Sequence, residues 1–315
     1  MNKQSSRPSI IDEVRVSQPV QVGNPVVRDV YTSDPAVIVH EGTAYLYTGH
    51  DEAPVGVEKY VMRDWLCFSS TDLMSWQPHG ALLHVEDFSW ARDGAKAGAV
   101  VERDGRFFWY LAVNHRTIEG GAIGVAVADH PTGPFRDALG SALITNDMPY
   151  NTGDDHTIDP SVIVDDGQAH LFWGKERCFT ARLDDSMSAL AGPISEIGLP
   201  EFKEGVHVHQ RDGWFYLSYG YGYPQRVAYA RSRSLDGPWS FEGIVNEVAG
   251  NCATNRPAIV RFAGDWYFFY HNGVLPDGGS YRRSVCVDRL TYDQDARINR
   301  VRMTTEGLLA HASST

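Results

Sequence analysis

Long apolar runs are missing from this chain. Nowhere do roughly 18 consecutive apolar residues occur, the length a membrane helix needs, so no helical membrane span is expected. Basic runs are missing too. The net charge is −12, with 28 Lys and Arg against 40 Asp and Glu. No Lys/Arg cluster supplies the concentrated positive face that phosphate backbones require, which argues against a nucleic-acid partner. Only four cysteines are present, Cys67, Cys178, Cys252 and Cys286, and none is paired in a CxxC spacing. That pattern offers neither a zinc ribbon nor a dithiol redox pair, and the thiols are expected to be reduced and mostly buried. The Gly-x-Ser-x-Gly elbow of an esterase is absent as well. Residues Met1 to Arg15 are polar and charged, without the apolar middle and small-residue cleavage site of a secretory leader, so a cytoplasmic location is expected. Helical periodicity is nearly absent.

What remains is a 315-residue chain, 43% hydrophobic, punctuated throughout by 30 Gly and 16 Pro. Short alternating runs rich in Val, Ile, Tyr, Phe and Trp lie between these breakers and read as strands. One segment recurs five times: Pro35 to Gly49, Ala99 to Val113, Pro160 to Gly174, Val206 to Gly220 and Pro257 to Gly273. Each is a strand, a turn at Gly, then an aromatic strand. The turn glycines Gly42, Gly105, Gly167, Gly213 and Gly264 are 46 to 63 residues apart. A second hairpin follows each segment, starting near Leu66, Ile123, Cys178, Val227 and Val285. Two hairpins make a four-stranded blade, so the repeat predicts an all-β, five-bladed β-propeller over residues 23–310, after a polar segment 1–22. A last strand around Arg297 to Thr305 is expected to complete blade five. The alternative, a two-sheet sandwich, does not explain five matched hairpin pairs.

In a propeller the first strand of each blade lines the central channel, so equal offsets become neighbouring positions at one mouth. Asp34, Asp159 and Arg256 each lie eight residues ahead of their turn glycine, Glu204 lies nine ahead, and the second repeat has Lys96 nine ahead. Carboxylates that face one another raise each other's pKa, which folding alone does not call for. Glycosidic cleavage does call for it: one carboxylic acid protonates the leaving oxygen and one carboxylate activates water. A third acid tunes the donor, and an arginine such as Arg256 can hold the sugar. The bland alternative is that Asp-Pro merely opens a strand, since both are common turn residues.

The segments Asn24 to Pro35, Ile158 to Gly167 and Glu204 to Val208 resemble glycoside hydrolase family 43, and the likeness runs from about Gly23 to Leu308. Asp87 to Gly98, Thr145 to Met148, Thr254 to Ile259 and Phe269 to Val287 are further stretches similar to its arabinofuranosidase and xylosidase members. The resemblance implies an inverting hydrolase that releases terminal arabinofuranose or xylose from plant-type glycans, with Asp34 as general base, Asp159 as pKa modulator and Glu204 as general acid. It also implies a histidine, His271, beside a calcium ion or a water in the channel. No cofactor is required by the chemistry, a structural calcium in the channel being the one addition considered. Two other readings stay open: a same-fold hydrolase of another sugar, such as a galactosidase, and a non-catalytic sugar-binding propeller.

Two departures from that family stand near the expected sugar. Lys96 occupies a place where relatives often carry Trp, and Val206-His207 follows the acid where many have Pro-Trp or Pro-His. A lysine there has several roles open to it: bonding sugar hydroxyls, pairing with Asp34 or Glu204, meeting a uronic acid, or pointing outward into solvent. Trp90, Trp173, Tyr221 and Tyr223 are candidates for stacking on a sugar face, against the commoner role of core aromatics. His50-Asp51, closing the first hairpin, is a candidate pair for sugar hydroxyls. The expected partner is thus a carbohydrate; the sequence says nothing of oligomeric state.

Overall fold

Each of the five repeats turns on a pair of left-handed residues. Glu41-Gly42, Asp104-Gly105, Asp166-Gly167, Asp212-Gly213 and Ala263-Gly264 all have positive φ, between 48° and 95°. Two consecutive left-handed residues define the type I′ turn, whose twist matches the strands it joins, and glycine takes the second position without steric cost. A computed structural model describes residues 23–151 and 156–309. The polar segment expected at 1–22 lies outside the described residues, as does the expected domain end at 310.

Blade one contains β1 (Thr32–His40), β2 (Thr43–His50), β3 (Asp64–Ser70) and β4 (Gln77–His84) in antiparallel order. Blade two is built on β5 (Ala91–Asp93), β6 (Gly98–Arg103), β7 (Arg106–His115), β8 (Gly121–Ala128), β9 (Arg136–Asp137) and β10 (Ile144–Thr145). Blade three has β11 (Ser161–Asp165), β12 (Gln168–Trp173), β13 (Cys178–Arg182) and β14 (Ser195–Ile197). Blade four has β15 (Phe202–Arg211), β16 (Trp214–Tyr221), β17 (Arg226–Ser232) and β18 (Ser240–Asn246), and blade five β19 (Ala258–Phe262), β20 (Asp265–Asn272) and β21 (Ser284–Leu290). The inner strands β1, β6, β11, β15 and β19 each touch the next, and β19 returns to β1, so the sheets close into a five-membered ring. No helix among the described residues is long and apolar enough to cross a membrane.

Five apolar clusters hold the ring, one in each seam between neighbouring blades. The period-two alternation of the strands supplies both seams of a blade at once: on β16, Phe215, Leu217 and Tyr219 face blade three while Tyr216 faces blade five. Trp65, Trp109 and Trp173 are almost fully enclosed in these seams, and burying a large apolar side chain contributes about 1.5–3 kcal/mol. All four cysteines are free and buried, Cys67, Cys178 and Cys286 within these clusters.

The strand expected at Arg297 to Thr305 does not form, and blade five has three strands among the described residues. Two other segments cover its edge and the adjoining seam. Asn24 accepts a hydrogen bond from Val287 N (2.8 Å) and donates to Val287 O (3.1 Å) and Thr304 O (2.8 Å), while Val26 N donates to Val285 O at 2.8 Å. The C-terminal segment instead reaches back to blade four, where Val301 N donates to Val245 O at 2.8 Å. Closure is therefore shared between the two ends of the propeller, which satisfies the exposed edge groups of β21 without a fourth strand.

Candidate active site

The two Asp-Pro steps are built alike. Asp34 and Asp159 have φ of 49° and 56°, a left-handed conformation that a residue ahead of proline normally avoids. Such backbone costs on the order of 1–3 kcal/mol per residue and persists where surrounding structure enforces it. In β1 the pairing register slips between Ser33 and Ala36, so Asp34 leaves the ladder and its side chain, 12% exposed, turns into the channel mouth. Glu204 reaches the same place from a similar irregularity in β15. The cavity there has a volume of about 700 Å³ and is lined by Asp34, Asp159, Glu204, Lys96 and Arg256. The five positions picked out by a shared offset thus converge, as the propeller requires.

Asp34 is held in its charged form. Its Oδ1 accepts from Arg283 Nη1 at 3.0 Å, and its backbone N–H donates to His271 Nδ1 at 3.2 Å. Burial works to raise its pKa, but Arg283, His271 and Arg256 together outweigh burial and hold the carboxyl below its ordinary value. Asp159 goes the other way: burial first, and then the facing charge of Glu204, push it up to about 7. Its Oδ2 accepts from Gly205 N at 2.9 Å, and Glu204 Oε1 accepts from Gln225 Nε2 at 2.8 Å. Gln225 is itself fixed by Asn255 N, which donates to its Oε1 at 2.8 Å. One ionised carboxylate and one proton-retaining carboxyl in a single cavity are the two protonation states that acid–base chemistry needs.

Gly205 permits this arrangement. Its φ is 72°, and a Cβ there would stand 3.2 Å from Asn255 O and 3.5 Å from Arg256 Cα. A side chain would push blade four's inner strand away from blade five and lengthen the bond to Asp159.

Several expected roles change. Arg256 lines the cavity, yet its Nη1 donates to Pro35 O (3.2 Å) and Gly98 O (2.9 Å), and its Nη2 to Pro160 O (2.6 Å). Its terminal nitrogens are spent on inner-strand carbonyls of blades one, two and three, so it ties the ring together at the axis rather than presenting itself to a sugar. Trp90 is 8% exposed, donates Nε1 to Asp137 Oδ2 at 2.9 Å and stacks on His115 in the seam between blades one and two. Trp173 is enclosed likewise. Tyr221 stacks on Phe241 with Arg226 over its ring, away from the cavity lining, and Tyr223 is 73% exposed. His50 also lies outside the lining, its Nδ1 being 2.9 Å from Asp64 Oδ1, with Glu52 close by. Its partner Asp51 is buried and accepts from Arg283 Nε at 2.8 Å and Nη2 at 3.0 Å. Val206 is fully buried, and His207 spends Nε2 on the backbone of Ile259, so neither faces the cavity.

His271 does not suit calcium. Its Nδ1 accepts from Asp34 N, its Nε2 lies 3.0 Å from Thr254 O, and burial, together with Arg283, lowers its pKa to about 4. A neutral ring with both nitrogens engaged has no lone pair to offer, and calcium seeks six to eight oxygens. The guanidinium of Arg256 already serves the carbonyls on the axis.

Three residues escaped the sequence reading. Arg283 lay within a stretch judged similar to the family, but no offset marks it, because it stands just ahead of the third strand of blade five rather than the first. Gln225 sits in a loop. Tyr60 is 43% exposed, lines the cavity, and has Arg283 4.9 Å from its ring centroid; no repeat predicts an aromatic there.

Residues 22–298 match the profile of the Glycosyl hydrolases family 43. Among curated proteins, Xylosidase/arabinosidase 43A of Humicola insolens is 30% identical, over 87% of this chain and 98% of its own. Among solved structures, a GH43_1 enzyme from Xanthomonas citri superposes with a TM-score of 0.80 at 28% identity, covering 91% of this chain and 95% of that one. A GH43 β-xylosidase/α-arabinofuranosidase from a compost microbial metagenome, solved with xylotriose in a calcium-free form, gives 0.78 at 26% identity, with 89% and 97% covered.

Proposed function

The chain belongs to glycoside hydrolase family 43, and from that membership we propose that it is an inverting exo-acting hydrolase of terminal xylose or arabinofuranose. The observation that supports this most is the convergence of Asp34, Asp159 and Glu204 on one cavity, with the Asp34 carboxyl held below its ordinary value and that of Asp159 raised to about 7. Curated and solved relatives named for xylosidase and arabinosidase activity point to pentoses.

In this reading Asp34, ionised and oriented by Arg283, takes a proton from water as that water attacks the anomeric carbon. Glu204 gives its proton to the departing oxygen from the other side. The Asp159 carboxyl, raised by burial and then by the charge of Glu204, acts in this reading as the group that modulates the acid. Gln225 orients Glu204, and Tyr60 offers the sugar a ring face. The inverting outcome requires acid and base carboxyls roughly 6.5–9.5 Å apart, enough for the water between them.

A panel of nitrophenyl xylosides, arabinofuranosides and galactosides, with proton NMR of the first product, tests the reading. Release of xylose or arabinose with the opposite anomeric configuration is expected. A retained product overturns the mechanism, and turnover of galactosides alone overturns the substrate.

A further inference from the structure

Arg282 ties loops of two blades together beside the cavity. Residues 54–60, in the connection from β2 to β3, are exposed at every position, so burial does not hold them, yet Tyr60 at their end lines the cavity. The hold comes from the connection between β20 and β21. Arg282 Nη1 donates to Pro54 O at 3.0 Å and to Val57 O at 3.3 Å, and its Nε donates to Asp277 O within its own loop. Val57 N donates back to Pro54 O at 2.9 Å, so one guanidinium secures both ends of that turn. No other side chain among the described residues bonds the backbone of residues 54–60.

The same two loops meet again at Tyr60. Tyr281, next to Arg282, packs against its ring with centroids 4.8 Å apart and planes at 64°, and Arg283 stands over that ring at 4.9 Å. The Tyr60 hydroxyl lies close enough to Asp34 and Glu204 for the charge of each to act on it. All three acceptors of Arg282 are backbone carbonyls, so its guanidinium sets loop geometry and neutralises no acid. A rigid planar fork can bridge carbonyls of two loops, which the single point charge of a lysine does poorly. An exposed turn left loose would have to be ordered each time a sugar bound, and that cost would be taken from the affinity. Resting on the glycosidase reading above, we propose that Arg282 is a positioning residue for sugar binding: it fixes the turn that carries Tyr60 and so holds that ring ready against the sugar.

The test is calorimetric titration with xylotriose in the Glu204→Gln background, where the ligand stays whole, comparing that parent with Arg282→Ala, Tyr60→Ala and the two changes together. Arg282→Ala is expected to raise Kd about tenfold, but by less than about twofold once Tyr60 is gone, because both residues act through one contact. A Kd that Arg282→Ala leaves unchanged overturns the proposal, as does equal weakening with and without Tyr60. Arg282→Lys keeps the charge and loses the fork; it should bind as Arg282→Ala does, and full recovery would overturn the clamp in favour of charge alone. Without ligand, hydrogen exchange at the amides of residues 53–60 is expected to quicken at least about tenfold in Arg282→Ala while the strands of blade one keep their protection. Unchanged exchange also overturns the proposal. Thermal melting checks that each variant is folded. If the parent does not bind xylotriose, the pentose reading fails, and the exchange measurement still decides the clamp.

Discussion

Arg283 holds Asp34 by a single hydrogen bond, Nη1 to Oδ1 at 3.0 Å. The rest of its fork is taken by Asp51, so the guanidinium cannot swing away from Asp34. The Asp34 carboxyl is thereby kept ionised and aimed into the cavity.

Arg283→Lys tests that relationship. Lysine restores charge but not the fork, and kcat/KM is expected to fall by at least about a hundredfold. Since Arg283 is what chiefly keeps the Asp34 pKa low against the effect of burial, loosening it raises that pKa, and the acidic limb of the pH–rate profile should move to higher pH. An unmoved limb would mean that Arg283 serves structure alone.

Glu204→Gln should abolish turnover of xylo-oligosaccharides and spare glycosides with good leaving groups, because an activated phenolate needs little protonation. Equal loss on both substrates would remove Glu204 from the role of acid.

For Asp159 the pH dependence of stability has a definite sign. Below about 3.8 both folded and unfolded chains hold its proton and it contributes nothing; from there to about 7 the unfolded chain releases the proton while the folded chain retains it. Stability contributed by this group therefore falls as pH rises through that window. Asp159→Asn should melt higher than the unaltered protein at pH 8, show a much smaller difference at pH 4, and have little activity at either. Melting curves at the two pH values decide it.

Gly205→Ala places a side chain at φ 72° and 3.2 Å from Asn255 O. A stability loss of about 1 kcal/mol or more is expected, together with a larger proportional loss of kcat, because the Gly205 N–H that fixes Asp159 moves with the strand. Denaturant titration and kinetics on the same preparation separate the two effects.

Arg256→Met should act through the fold. It leaves Pro35, Gly98 and Pro160 carbonyls without their donor, at about 1–3 kcal/mol for each buried acceptor left unsatisfied. A Tm drop of several degrees is expected. A normal Tm with a raised KM would instead return Arg256 to sugar binding.

The propeller and its three acids were legible in the sequence because both are local or repeated. A type I′ turn is a dipeptide property, strand alternation has a period of two, and an offset of eight or nine residues repeated in five blades places Asp34, Asp159, Glu204, Arg256 and Lys96 at one mouth without knowledge of any contact. The same logic overreached at Arg297 to Thr305, where a strand was expected because four-stranded blades are regular; the edge is covered instead by Asn24 and Val26, some 260 residues away.

What an arginine or an aromatic does, by contrast, was decided only in the folded molecule. Arg256 and Arg283 are alike as letters, yet the first ends against three carbonyls on the axis and the second between two aspartates. Trp90 looked like a sugar platform and is wedged against Gly124 and His115, while Tyr60, with no repeat to mark it, stands in the cavity. Long side chains choose partners through contacts between blades that are distant in sequence. Periodicity fixes where a backbone lies, and it carries no information about which distant groups will be waiting there.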